Sequence, residues 1–132
     1  KVHIPEGVVV LMGLLLLELM AAAGVPIHEI VDDVLAQYGP AQYQRTDIKL
    51  KHPVAKDTMV DMLVKLAPTK IAGVQVEDVQ TLDGVKYYLA DGSWLLIRPS
   101  GTEPVLRAYA DAPNHKHVHG LLDFGEEMPA KA

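Results

Sequence analysis

The fold is decided by residues 74–97, VQVEDVQTLDGVKYYLADGSWLLI, in which three apolar runs are separated by two Asp-Gly pairs, Asp83-Gly84 and Asp91-Gly92. Asp-Gly between apolar runs is a strong hairpin signal, because glycine takes the positive φ that tight strand-to-strand turns require. Outward from there, VLRAYADA (105–112) continues the same kind of pattern. Together these segments predict a meander of four antiparallel strands over 74–82, 85–90, 93–97 and 105–112. Upstream, Met59, Met62, Leu63 and Leu66 recur at helical spacing within 55–66, with Asp57, Asp61 and Lys65 on the opposite side and Pro53 and Pro68 as brackets. That helix is available to cover one face of the sheet. Residues 43–50 read as an extended strand. A closing helix is expected around Val118, Leu121 and Leu122, although Gly120 and Gly125 count against it. The expected class is therefore α+β, an antiparallel four-stranded sheet with helices packed on it.

The front of the chain reads differently. Residues 8–23 are mostly Leu, Met, Val and Ala and end at Gly24-Val25-Pro26, a helix with a clear stop. The run is shorter than the roughly 20 residues a membrane span needs and Glu18 interrupts it, so a buried core helix is expected, not a span. It is apolar nearly all round, which calls for neighbours on several sides; without them the chain is expected to self-associate through helix 8–23. A second helix is predicted over 27–38, with Ile27, Ile30, Val31, Val34 and Leu35 on one face and Gly39-Pro40 as terminator. The opening KVHIPEG resembles neither an initiator segment nor a signal peptide, so the chain is expected to start inside a longer protein.

Composition narrows the function classes. With 132 residues, 49% apolar and 22% charged, the chain has ordinary globular composition and enough length for a core. A formal charge of −5 argues against nucleic acid or an acidic membrane surface as partner, so any anion site has to be a local cluster. With no cysteine there is no disulfide framework and no thiolate zinc site, which fits a cytoplasmic location.

One such cluster exists. RPSGTEP (98–104) interrupts the last hairpin with more chemistry than a turn requires. A phosphate is held by converging backbone N–H groups, hydroxyl donors and a guanidinium that bonds two oxygens at once. Arg98 supplies the fork from the end of a strand, Ser100 and Thr102 supply hydroxyls and amides, and Gly101 permits close approach. Pro99 and Pro104 stiffen the loop on both sides. Glu103 would repel phosphate, and its expected role is to cap loop amides or pair with Arg107. On residue types alone, an anion cradle and an idle polar turn both remain open.

The stretch DGSWLLIRPSGTEPVLRAYADA (91–112) closely resembles the C-terminal domain of the α-D-phosphohexomutases, the phosphoglucomutase/phosphomannomutase family, and its loop matches that family's phosphate-binding signature without a gap. HIPEGVVVLMGLLLLELMAAAG (3–24) resembles the helix that ends the preceding domain of those enzymes, and YGP (38–40) recurs in their linker. The resemblance implies a four-domain parent, with 1–37 the end of domain three and linker and 38–132 a TATA-binding-protein-like domain four. It implies an isomerase, an intramolecular phosphotransferase moving a phosphoryl group between C1 and C6 of a hexose, with the remaining domains of the parent chain as partners. Carried over by position, Arg98, Ser100, Gly101 and Thr102 become phosphate ligands, with Glu103 and Arg107 as support. Domain four clamps the phosphate that is not being transferred. The nucleophilic serine, the Mg2+ site and the sugar-recognition loop belong to earlier domains in the family, and no counterpart is visible here. The isolated chain is thus expected to be inactive, with no catalytic residue and no metal of its own. EGVV (6–9) departs from the family pattern. The loop leans toward the phosphoglucomutase and dual-specificity branches, while glucose, mannose and glucosamine phosphate all stay open as substrates. A stand-alone anion- or protein-binding module is the alternative.

Three other features compete for attention. His115, His117 and His119 alternate and suit a metal only if extended; in a helix only His115 and His119 share a face, and no nearby carboxylate completes a site. Tyr87, Tyr88, Trp94 and Tyr109 form either a stacking platform or cross-strand packing, and packing is the expected role. Lys70 and Lys86 read as solvated charges.

Overall fold

The computed structural model describes residues 8–50, 55–100 and 103–128. Gly101 and Thr102 lie outside the described residues. The chain divides into two compact units, Lys1–Pro40 and Ala41–Ala132.

The first unit holds α1 (Val9–Ala23) and α2 (Ile27–Tyr38), bent by 82° at the break between them. Gly24 ends α1 at φ 70°, returning its N–H to the Met20 carbonyl. No residue of either helix is buried against the described residues of this chain. Two helices have too little apolar surface to cover one that is apolar on all sides. No single helix is long and apolar enough to cross a membrane, although the bent pair together has the length and composition of a broken span.

The second unit is two-layered. Its elements are β1 (Gln42–Lys49), α3 (Lys56–Lys65), β2 (Lys70–Ile71), β3 (Val74–Gln80), β4 (Val85–Leu89), β5 (Trp94–Pro99), β6 (Val105–Ala112) and α4 (His115–Glu127). The strands form one sheet in the order β1-β6-β5-β4-β3-β2, every neighbouring pair antiparallel. The sheet thus has six strands where four were expected. The central meander is the expected one. The segment 43–50, expected as an extended strand apart from the meander, is β1, paired with β6 over its whole length from Gln42↔Ala112 to Lys49↔Val105. The other addition is β2, two residues joined to β3 through Ala72-Gly73, both at positive φ (48° and 86°), as a two-residue primed turn requires.

One face of the sheet is the core. Val85, Tyr87, Leu89, Leu95, Ile97, Leu106, Ala108 and Ala110 point inward and are buried with Met59 and Leu63 of α3 and Val118, Leu121 and Leu122 of α4. The alternation of buried and part-exposed residues along β4 and β6 is the period-2 signature of a half-covered sheet. Gly120 and Gly125, which weigh against α4 in the sequence, are what let it sit close. A Cβ at Gly125 would lie 3.2 Å from Ala108 Cβ, and one at Gly120 would lie 3.1 Å from Ala72 Cβ.

The hairpin turn after β4 is tied to the start of α4. Ala90-Asp91-Gly92 forms a three-residue loop closed by the Leu89 N–H donating to the Ser93 carbonyl at 2.9 Å. Asp91 accepts from the buried Ser93 hydroxyl (2.5 Å) and from the Ser93 N–H (3.0 Å), while its second oxygen lies 3.2 Å from His117 Nδ1. The imidazole is therefore packed against a carboxylate from another element. Among the described residues no three His, Cys, Asp or Glu side chains gather as a metal site. Burial pushes the Asp91 pKa up, but the two bonds from Ser93 and the field of His117 outweigh it and hold it below the usual carboxylate value. A depressed folded pKa means stabilisation that is complete above about pH 4 and lost as pH falls through the folded value. Asp91→Ala is expected to cost about 2 kcal/mol, mostly by orphaning the buried Ser93 hydroxyl, and to flatten the acid side of the stability curve. Urea midpoints measured between pH 6 and pH 3 check both outcomes.

Candidate anion-binding site

The face of the sheet opposite α3 and α4 carries the polar chemistry. Arg98 on β5 and Arg107 on β6 are direct cross-strand partners, so their side chains leave the same face. Two like charges placed opposite each other on adjacent strands destabilise the pair unless anionic groups answer them. Asp83 supplies part of that answer. Arg98 Nε lies 2.9 Å from Asp83 Oδ2, in the connection between β3 and β4. Asp83 Oδ1 also takes Lys56 Nζ, the first residue of α3, at 3.1 Å. Arg107 is held more loosely, its Nη2 being 3.8 Å from Glu103 Oε2. Its Nε is buried and has no hydrogen-bond partner among the described residues. Asp47, opposite Arg107 on β1, is committed elsewhere, since Arg45 forks onto it at 2.7 and 2.6 Å. That bond, helped by the fields of Arg45 and Arg107, holds the Asp47 carboxyl below its usual range.

The connection between β5 and β6 is shorter than the sequence suggests. Arg98 and Pro99 belong to β5 and pair with Arg107 and Leu106, leaving five residues, 100–104, between the two strands. Ser100 N–H donates to the Val105 carbonyl at 2.8 Å, and Val105 N–H to the Glu103 carbonyl at 2.7 Å. The Ser100 amide, expected as an anion donor, is therefore spent on closing the loop, and its hydroxyl is what remains to offer. Glu103 does reach toward Arg107, one of the two roles expected for it. Arg98, Ser100, Glu103 and Arg107 thus converge at one end of the β5–β6 hairpin, while Gly101 and Thr102 lie between them in sequence and outside the described residues.

The aromatic residues divide by face. Tyr87 is in the core, donating its hydroxyl to the Leu63 carbonyl at 2.9 Å. Trp94 and Tyr109 lie on the open face around Tyr43, with ring centroids 6.2 and 6.5 Å from it. Lys86, read as a solvated charge, sits over Trp94 at 3.9 Å and Tyr88 at 4.7 Å, within cation–π range. Cross-strand packing accounts for these rings.

Comparison with known proteins supplies the family. Residues 54–126 match the model of the phosphoglucomutase/phosphomannomutase C-terminal domain. The chain is 36% identical over 125 residues to a phosphoglucosamine mutase of Methanococcus aeolicus, covering 94% of this chain and 25% of that protein. It is 36% identical over 115 residues to a phosphopentomutase of Thermococcus kodakarensis, covering 87% of this chain and 24% of that protein. A phosphoglucosamine mutase of Methanocaldococcus jannaschii is 29% identical over 133 residues, covering 97% and 26%. The chain therefore spans about a quarter of the length of the curated relatives it matches, and it belongs to the phosphoglucomutase/phosphomannomutase family through that family's C-terminal domain.

Proposed function

We propose that residues 41–132 are the phosphate-clamping domain of a phosphosugar mutase, holding the phosphate that is not transferred while other parts of the parent protein move the second one. The observation that carries this reading is the placement of Arg98 directly opposite Arg107 at the mouth of the 100–104 loop. Such a pairing costs energy in the free domain and is repaid by a dianion bonded to both guanidinium groups. Arg98 is the principal ligand, Arg107 the second cation, and the Ser100 hydroxyl and the Gly101-Thr102 segment complete the cradle. Glu103 screens Arg107 until the anion replaces it. The antiparallel sheet with α3 and α4 on one face supports the TATA-binding-protein-like domain that the resemblance implies. The nucleophilic serine, the Mg2+ ion and the groups that choose the sugar belong, on this reading, to the rest of the parent chain. The relatives' names make glucosamine phosphate the first sugar phosphate to test, followed by a pentose phosphate.

In the 132-residue chain, millimolar inorganic phosphate or glucosamine phosphate is expected to shift the amide signals of residues 98, 100 and 103. Shifts elsewhere with a silent loop would leave an anion-independent binding module as the better reading. In the full-length parent, Arg98→Ala removes charge-assisted hydrogen bonds and is expected to weaken phosphosugar affinity by about one to two orders of magnitude. Unchanged kinetics would remove Arg98 from the site.

A further inference from the structure

The ion pair between Arg98 and Asp83 admits two opposite roles. Asp83 either competes with phosphate for the guanidinium, as a latch that must let go, or braces the guanidinium so that phosphate finds it already placed. The two roles differ in whether Asp83 can move.

The turn that carries Asp83 is locked onto β5. Gly84 sits at φ 95°, and a Cβ built there would overlap the Ile97 carbonyl oxygen and come 2.9 Å from Arg98 Cα. Backbone of the β3–β4 connection and backbone of β5 are thus in direct contact at the residue before and at Arg98 itself. Asp83, next in sequence, is thereby anchored to β5 on its C-terminal side. Its other oxygen is held by Lys56, which ties the carboxylate to the first residue of α3 as well. The contact to Arg98 is made through Nε. A guanidinium engaged there still presents the Nη1–Nη2 edge, a two-donor edge suited to phosphate oxygens. Two cations around one carboxylate leave a net single positive charge, so the brace does not cancel the site's attraction for an anion.

We propose that Asp83 is a positioning residue for the anion site: held in place by the Gly84–Arg98 backbone contact and by Lys56, it fixes the Arg98 guanidinium through Nε and leaves the opposite edge free for phosphate. This rests on the clamp reading above and deepens it. The two roles give opposite signs. Removing a negative charge beside an anion site tightens binding by electrostatics alone, and removing a latch does the same. Removing a brace weakens binding, because the ligand then bears the cost of ordering a long side chain.

The test uses the 132-residue chain, inorganic phosphate as probe, and the variants Asp83→Ala and Asp83→Asn. Two quantities are read: the phosphate Kd from amide shifts at Ser100 and Glu103, and the order parameter of the Arg98 Nε–H bond without ligand. Asp83→Ala is expected to raise Kd about 3- to 10-fold and to lower the Arg98 order parameter toward that of an unrestrained side chain. Asp83→Asn keeps the side chain's size but removes the charge of the ion pair, and is expected to show most of both effects, which loss of side-chain volume alone does not explain. If Asp83→Ala binds phosphate as tightly as wild type or more tightly, the brace is wrong, whatever the order parameter does. If wild type itself shows no shift at the loop, the clamp reading fails first and the brace falls with it. Those two failures are distinguished by the wild-type titration.

Discussion

Gly84→Ala is expected to destabilise the second unit by about 3–5 kcal/mol, the sum of forcing alanine to a positive φ and of a backbone overlap that no rotamer relieves. The overlap is the larger part. The added Cβ meets the Ile97 carbonyl and Arg98 Cα, both inside a paired strand, so relief requires β5 to shift against β4. For a unit of this size each kcal/mol moves the melting temperature by roughly 4–8 °C, so a fall of about 12–40 °C is expected in a thermal melt followed by circular dichroism. Gly92→Ala is the matching control. Gly92 has a similar φ of 84° but no atom within 4 Å of the added Cβ, so only the conformational cost of roughly 1 kcal/mol applies. Equal losses for the two variants would show that the β3–β4 connection does not press on β5, and with it would go the fixed placement of Asp83. Phosphate binding separates the two further, because Gly92 lies at the other end of the β4–β5 hairpin from Arg98.

What was legible in the sequence was local. The Asp-Gly pairs, the Met and Leu spacing of α3 and the apolar run of α1 each announce an element within a dozen residues, and β3 to β6 follow the expected course. The two strands beyond the expected four depend on other things. β2 is only two residues long, and its turn is Ala72-Gly73 where Asn-Gly or Asp-Gly would have been the recognisable signal; the structure holds Ala72 at φ 48° without that help. β1 has a strand-like sequence, but its place beside β6 is a pairing across some 60 residues that no local pattern encodes. The site divides in the same way. Arg98 is visible because it stands at the junction of an apolar run and a polar loop. Asp83 reads as turn punctuation and nothing more, since its bonds to Arg98 and Lys56 exist only once three elements are assembled. The same holds for His117 and Asp91, far apart in sequence and joined in the fold. The resemblance pointed to the loop from its motif, whereas the residues that steady the loop's arginine had no motif to be found by.

The second large effect lies under the sheet. Tyr87 is fully buried, meets Phe124 edge-on at 6.3 Å, and donates its hydroxyl to the Leu63 carbonyl. Leu63 is in the last turn of α3, where carbonyls have no partner further along the helix, so the phenol serves as a side-chain cap supplied by the sheet. Tyr87→Ala removes both the ring and the cap and is expected to cost about 3–5 kcal/mol. Tyr87→Phe keeps the ring and removes only the cap, at about 1–2 kcal/mol, because the buried carbonyl is then left without a donor. Burial pushes the phenol pKa up to about 12, well above the ordinary tyrosine value. The neutral form is thus favoured in the folded state, and the sign follows: its contribution is complete below about pH 10 and is lost as pH rises toward 12. That loss amounts to roughly 2–3 kcal/mol at the alkaline limit, since each pKa unit is about 1.4 kcal/mol. Tyr87→Phe should therefore be the less stable protein at pH 8 and lose less than wild type between pH 10 and pH 12. Denaturant melts at the two ends of that range read the crossing directly. Parallel curves for the two proteins would mean that the phenol ionises in the folded protein at its ordinary pKa, and equal stability at pH 8 would remove the cap.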